Sequence, residues 1–399
     1  MTPNPIPRRT LLLAAATGAI TLTPTPALAA KDRKGGRTKP TASPTPSPSP
    51  TLTPTPTPSP TPTPTLQPVT APLSPFVPYI AAGTVFTRAV NGAGSVASSQ
   101  SVAMPLAANS AAIAGTMIPY SQSSNPYGVK TSFNLTSFNI PVFVVNSGDP
   151  NQTYATMSST DSRVTTNASI AANTLGRIPL PTWARPSPIG DLAMAVYDAH
   201  TGMMREYFYV QGGAGAWTCR AAGYFQASQL FTNLATSNFW MRMTAGSNSV
   251  VGMFNTLSQV GIEEALSGTI RHALSFTIAN AAPGFSWPAR QGDGTATNPN
   301  LPYQGQWFRI DPTVTLNSLG LRPFTLMLAK AAQTYGGFAA DKNLFCHAFN
   351  AEPSNSYVQA TGSDPWKTTV PAQFGSNFAD LNDFPWQFTQ WAPKDWGKP

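Results

Sequence analysis

Thr269-Ile270-Arg271-His272-Ala273-Leu274-Ser275-Phe276-Thr277-Ile278 is the stretch whose reading decides the fold. With the two-residue period of a strand, Ile270, His272, Leu274, Phe276 and Ile278 share one face, and Arg271, Ala273, Ser275 and Thr277 share the other. A titratable imidazole then stands among four apolar side chains. It is either a satisfied core histidine or part of a site.

Working outward, other strand-like runs recur at short spacing. Residues 140–145 form an apolar run, 192–198 and 203–210 flank the Asp198-Ala199-His200-Thr201-Gly202 turn as a hairpin, and 216–220 and 344–351 read as further strands. A strand at 239–244 is expected as well. On the second hairpin strand Met204, Glu206, Phe208 and Val210 share a face, so Glu206 repeats the anomaly of His272. Asn109 opens a short capped helix, and 262–266 make one turn of another. The longest helix is expected over Pro323–Tyr335. Proline stands at its start, Gly336-Gly337 at its end, and Phe324, Leu328, Ala331 and Tyr335 form its stripe. Residues 149–171 are rich in Ser, Thr and Asn and read as loop or edge, 181–188 as a proline-punctuated turn, and 384–396 as a wrapping tail. Few helices, and no alternation of strand with helix, argue against a parallel α/β sheet. The expectation is a mainly β domain, a β-sandwich or jelly roll with one longer helix.

Residues 1–75 differ in kind. Arg8-Arg9 precede a short apolar run that ends in Ala27-Leu28-Ala29, a small-residue cleavage pattern before Ala30. This reads as a secretory signal over 1–29, too short to span a membrane, with paired arginines that suit twin-arginine export. Residues 30–75 continue as a basic spacer and a Pro/Thr/Ser stalk, in which alternating proline enforces extended chain. One folded domain is expected over 76–399, extracellular and held at or near the cell wall. Seven of the basic residues and a single acid fall in 1–75, so six of the eight net positive charges lie there and +2 remains on the body. Nucleic-acid binding is disfavoured.

Asn109-Ser110-Ala111-Ala112-Ile113, Ile140-Pro141-Val142-Phe143, Ile178-Pro179-Leu180-Pro181 and Gly190-Asp191 resemble a family of secreted bacterial proteins. So do Gly268-Thr269-Ile270-Arg271-His272-Ala273-Leu274, Trp287-Pro288-Ala289, Gly305-Gln306-Trp307-Phe308-Arg309, Gln333-Thr334-Tyr335-Gly336 and Ala351-Glu352. The resemblance implies a secretion signal and a common body over about 76–399. It implies no reaction.

The ionisable residues set against greasy neighbours suggest chemistry on a polysaccharide. A carboxylate on an apolar face is costly unless paired, and desolvation raises its pKa toward the range of a general acid. Glu206 suits that role, with Glu352 or Asp191 as the ionised partner of a two-carboxylate glycoside hydrolase, and His272 and Arg309 orienting acid or sugar. A lyase would use His272 or a tyrosine as base and Arg309 to neutralise a uronate. Trp287, Trp307 and Asp293 are candidate sugar contacts, since tryptophan stacks on the C–H faces of sugars. Against each stands a bland reading: a salt bridge for Glu206, a core residue for His272, core packing for the tryptophans, and a turn for Gly292-Asp293-Gly294. A metal site from His272, His347 and a carboxylate lacks a recognisable spacing, and no cofactor motif stands in a convincing context. The rival function is a non-catalytic carbohydrate-binding or surface structural module. Cys219 and Cys346 either form one bridge, worth about 4–5 kcal/mol in the loop-entropy account, or stay free.

Overall fold

In the computed structural model, residues 86–87, 89–90, 103–119, 129–136, 138–226 and 249–398 are described. The chain divides into two units, Met1–Thr65 and Leu66–Pro399, and only the second includes described residues. The signal peptide, the stalk and the strand expected at 239–244 lie outside them.

Some strands alternate, as Tyr154–Ser158 does with its buried Ala155 and Met157 between more exposed neighbours, while Val142–Val145, Met194–Asp198 and Ala221–Gln226 are near-continuous buried runs that lie between layers. The strands, in chain order, are β1 (Thr131–Asn134), β2 (Val142–Val145), β3 (Tyr154–Ser158), β4 (Gly176–Pro179), β5 (Met194–Asp198), β6 (Met203–Phe208) and β7 (Gln211–Gly213). They continue as β8 (Ala216–Thr218), β9 (Ala221–Gln226), β10 (Leu274–Ile278), β11 (Trp307–Ile310), β12 (Gly337–Lys342), β13 (His347–Asn350) and β14 (Thr389–Trp391). Three sheets result: a six-stranded one in the order β1-β13-β10-β12-β11-β14, and two four-stranded ones, β2-β5-β6-β9 and β4-β3-β8-β7. The helices are α1 (Ser110–Met117), α2 (Ser162–Thr165), α3 (Ala168–Thr174), α4 (Ile262–Ser267), α5 (Pro323–Tyr335), α6 (Asn355–Thr361) and α7 (Thr369–Phe374). The body is mainly β, with small helical content.

All three sheets are mixed, which departs from the expectation drawn from element order. β1 runs parallel to β13, β10 to β12, β2 to β5 and β3 to β8. Parallel partners need a long crossover. Between β10 and β12 that crossover carries β11 and α5 rather than a lone helix, so no βαβ rhythm shows in the sequence.

Three apolar clusters hold the layers. On one face of the large sheet, Leu274, Phe276, Ile278, Phe308 and Phe349 meet Ile113 of α1, Ile262 of α4, Phe324 and Leu328 of α5 and Val370 of α7. Its other face sends Trp307, Phe338 and Ala340 into a second cluster with Val142, Ala195, Met204 and Phe225 of the β2-β5-β6-β9 sheet. The opposite face of that sheet, with Phe143, Val196 and Tyr207, packs on Met157, Ile178 and Trp217 of the small sheet. The period-two reading therefore holds within β10, but the strand begins only at Leu274. His272 stands in the bend before it.

Several local expectations meet a different backbone. Asn109 precedes α1 without a side-chain cap bond. The polar stretch 149–171 holds β3, α2 and the start of α3: Asp161 accepts the Arg163 N–H and Asn167 the Ile170 N–H, while Val164 and Ile170 anchor the two helices in the third cluster. Such caps supply what apolar periodicity does not. The wrapping tail contributes β14, which completes the edge of the large sheet beside β11.

The proposed cysteine bridge is corrected. Cys219 and Cys346 are both free. Cys219 is buried in the third cluster, and burial pushes its thiol up to about 12. Cys346 lies by Ser132 Oγ and Asn343 Nδ2, each 3.7 Å from its sulfur.

Candidate functional site

The segment from 255 to 264 threads between the layers, and buried carboxylates satisfy its backbone. Asn255–Leu257 is a short 3-10 turn, and Gly261 leads into α4. Glu206 on β6 is 0% exposed; its Oε1 accepts the Thr256 N–H at 2.8 Å and the Thr256 hydroxyl at 2.6 Å. Glu352 follows β13 and is 1% exposed; its Oε2 accepts the Ile262 N–H at 3.1 Å. Its backbone is fixed as well: its N–H donates to the Val260 carbonyl, and its carbonyl accepts the Trp366 indole N–H at 2.8 Å.

His272 is 1% exposed and fully engaged. One ring nitrogen, Nδ1, lies 2.8 Å from the Ala273 carbonyl, and Nε2 lies 2.9 Å from Glu264 Oε2. Both nitrogens face acceptors, the arrangement of an imidazolium. Burial works against the charged ring, yet the charge and hydrogen bond of Glu264, with the Ala273 carbonyl, outweigh it and raise its pKa. The same Glu264 oxygen accepts the Gly261 N–H at 2.9 Å, so it closes the first turn of α4. Glu264 is absent from the sequence-derived site. Its position three residues after Gly261 is the spacing of a helix-start carboxylate, the one signal that pointed to it.

Glu264, Glu352 and His272 thus gather at the start of α4, while Glu206 is tied further up the same segment, at Thr256. All are enclosed. This is the chemistry of a framework: carboxylates closing backbone N–H groups, with one histidine offsetting charge. Among the described residues no group of three or more His, Cys, Asp and Glu side chains is placed to hold a metal ion. His347, the second histidine of the suggested metal site, lies elsewhere. Its Nδ1 accepts the Ala279 N–H at 3.4 Å, its ring packs on Phe276 and Trp386, and burial lowers its pKa to about 3.

The remaining candidates are dispersed. Asp191 is buried before β5, where its carbonyl accepts the Tyr209 N–H. Arg309 on β11 donates Nε–H to Gln390 Oε1 at 2.9 Å and Nη1–H to the Val90 carbonyl, and burial lowers its pKa. Asp293 exchanges hydrogen bonds with Gln304 and holds Lys342, within a turn whose flanking glycines press on backbone. A Cβ at Gly294 would stand 2.0 Å from the Ala282 carbonyl oxygen. Trp307, expected as a sugar contact, is instead a core side chain of the second cluster, 1% exposed, with its ring tilted 56° against Phe338 at 5.4 Å. Trp287 is half-buried at the edge of that cluster, and its backbone N–H donates to Asp395 Oδ1 at 2.8 Å. No family model matches the chain, and no match was found among curated proteins or solved structures.

Proposed function

We propose that the chain is an exported, stalk-tethered glycan-binding module of the cell surface, built as a helix-covered β-sandwich, in which the buried ionisable residues serve the framework rather than a reaction. The observation that carries the reading is the enclosure of Glu206, His272 and Glu352, each bonded to backbone or to a structural carboxylate. A glycoside hydrolase needs two carboxyl groups flanking a bond that substrate and water can reach. A lyase likewise needs its base in contact with the sugar. Neither is served by groups at 1% exposure or less. The export signal, the proline-rich stalk and a body with few charges support the extracellular setting.

The test is a screen of the purified protein against a polysaccharide panel, scoring bound protein, new reducing ends and new ultraviolet absorbance from unsaturated ends. Binding without products is expected. Products that disappear in both Glu206→Gln and His272→Ala, with folding retained, would restore the enzymatic reading.

A further inference from the structure

The small sheet buries one face and exposes the other. Ala155, Met157, Ile178 and Trp217 turn inward to the third cluster, so the alternate residues of β3, β4 and β8 turn outward. Thr156 stands between Arg177 of β4 and Ala216 of β8, and Ser158 stands beside Thr218, which pairs in turn with Gln211 of β7. All six are exposed, and the exposed residues of these four strands include no aliphatic group larger than the Ala216 methyl. The Ser158 and Thr218 hydroxyls donate to the Trp217 and Gln211 carbonyls and keep their oxygens as outward acceptors.

An arginine lies over a tyrosine at each end of this flat, hydroxyl-lined field. Arg177 Cζ is 3.4 Å from the ring centroid of Tyr154, and Arg220 Cζ is 4.1 Å from that of Tyr209. The Cys219 N–H donates to the Ser158 carbonyl, which carries the ladder on past β8. Arg220, four residues beyond Ala216, therefore stands about 13 Å along the strands from the row of Arg177. Residues 154–179 and 209–220 carry Asp161 against Arg163, Arg177 and Arg220, three positive charges less one negative, a net +2. The one acid is taken: Asp161 accepts Arg163 Nε–H at 2.9 Å and Nη2–H at 2.6 Å, and Arg220 acts on it only through space. Arg177 and Arg220 form no ion pair among the described residues.

We infer that this outer face binds an anionic polysaccharide whose sugar rings carry carboxylates, a polyuronate; the inference rests on the glycan-binding reading above and names its ligand class and surface. Stacking on a ring holds the guanidinium plane and leaves its N–H edge free, and that planar fork meets a carboxylate with two parallel bonds. A carboxylate on each ring lets a chain engage both arginines while the rings between them lie on the small side chains and bond to the hydroxyls. An apolar protein partner is disfavoured, because such interfaces have an apolar centre and this field has none. Two unpaired arginines also fall short of the basic stripe that nucleic acid requires.

The test uses the whole purified chain in low-salt affinity electrophoresis with polygalacturonate, its methyl-esterified form and glucomannan, and in pull-down with insoluble cellulose and chitin. Poly-glutamate and polyphosphate serve as anionic chains without sugar. The variants are Arg177→Gln and Arg220→Gln combined, and Lys367→Gln, which removes a positive charge 79% exposed elsewhere on the body. Thermal unfolding verifies folding, and the methyl-ester comparison decides the question without any variant. Polygalacturonate is expected to bind, less as salt is added, and about tenfold or more weakly when the two arginines are replaced or the carboxylates are esterified, with Lys367→Gln unchanged. Polygalacturonate binding that survives the double replacement overturns this surface and leaves the glycan-binding reading standing, as does a neutral or esterified glycan bound as well as polygalacturonate. Poly-glutamate or polyphosphate bound as tightly as polygalacturonate overturns the inference in favour of a charge-reading surface. A wild type that binds none of the glycans overturns both this inference and the reading beneath it.

Discussion

At the scale of single residues, the decisive pair is His272 and Glu264. Both are buried, and Glu264 also closes the N-terminus of α4, so removing its charge strands an imidazolium and loosens a helix start together. Breaking such a pair costs about 3–5 kcal/mol. Glu264→Gln is therefore expected to lower unfolding free energy by about that amount, read from denaturant midpoints; a change under about 1 kcal/mol would contradict the pairing. Cys219 makes a second residue-scale prediction. With its thiol pushed up to about 12 and buried in the third cluster, it should resist thiol reagents in the folded protein and react on unfolding without reductant. A non-reducing titration that finds fewer than two thiols after unfolding would contradict the two free cysteines.

At the scale of elements, what was legible followed from local chemistry. Proline at the first turn and glycine after the last bounded α5, and the turn ahead of Gly202 set the β5–β6 hairpin. Asp198 secures that turn by accepting the Ser147 and Thr201 hydroxyls and the Ser147 and His200 N–H groups; these bonds outweigh burial and lower its pKa. The parallel pairings were not legible, because Thr131 faces His347 and Leu274 faces Gly337 across long stretches that no local pattern marks. The site was legible as an anomaly only. Glu206 and His272 stood out as polar residues in apolar company, but their partners, Thr256 and Glu264, depend on how 255–264 threads between layers. The loop junction at Gly305 offers an element-scale test. Gly305→Ala adds a clash to a left-handed backbone and should destabilise by about 2–3 kcal/mol, seen as a lower melting temperature. An unchanged melting point would show that the loops have slack.

At the scale of the whole molecule, two histidines shape stability against pH with opposite signs. His347 has its pKa lowered to about 3 in the fold, so between its unfolded value near 6.5 and 3 the unfolded chain holds more protons and stability falls as pH falls. His272 has its pKa raised, so its contribution is complete below the unfolded value and is lost as pH rises through the folded one. Where one state alone is protonated, the slope per group is about 1.4 kcal/mol per pH unit. His347→Leu should flatten the acid limb and leave the alkaline limb; an unaltered acid limb would remove His347 from the account.

The central claim, that the buried acids are framework, is tested most directly by Glu206→Gln, with unfolding free energy and polysaccharide binding measured on one preparation. The account predicts reduced stability, because a neutral amide replaces the carboxylate that holds Thr256, with unchanged affinity in the folded fraction. Stability equal to wild type, together with lost turnover of a polysaccharide that the wild type degrades, would contradict it.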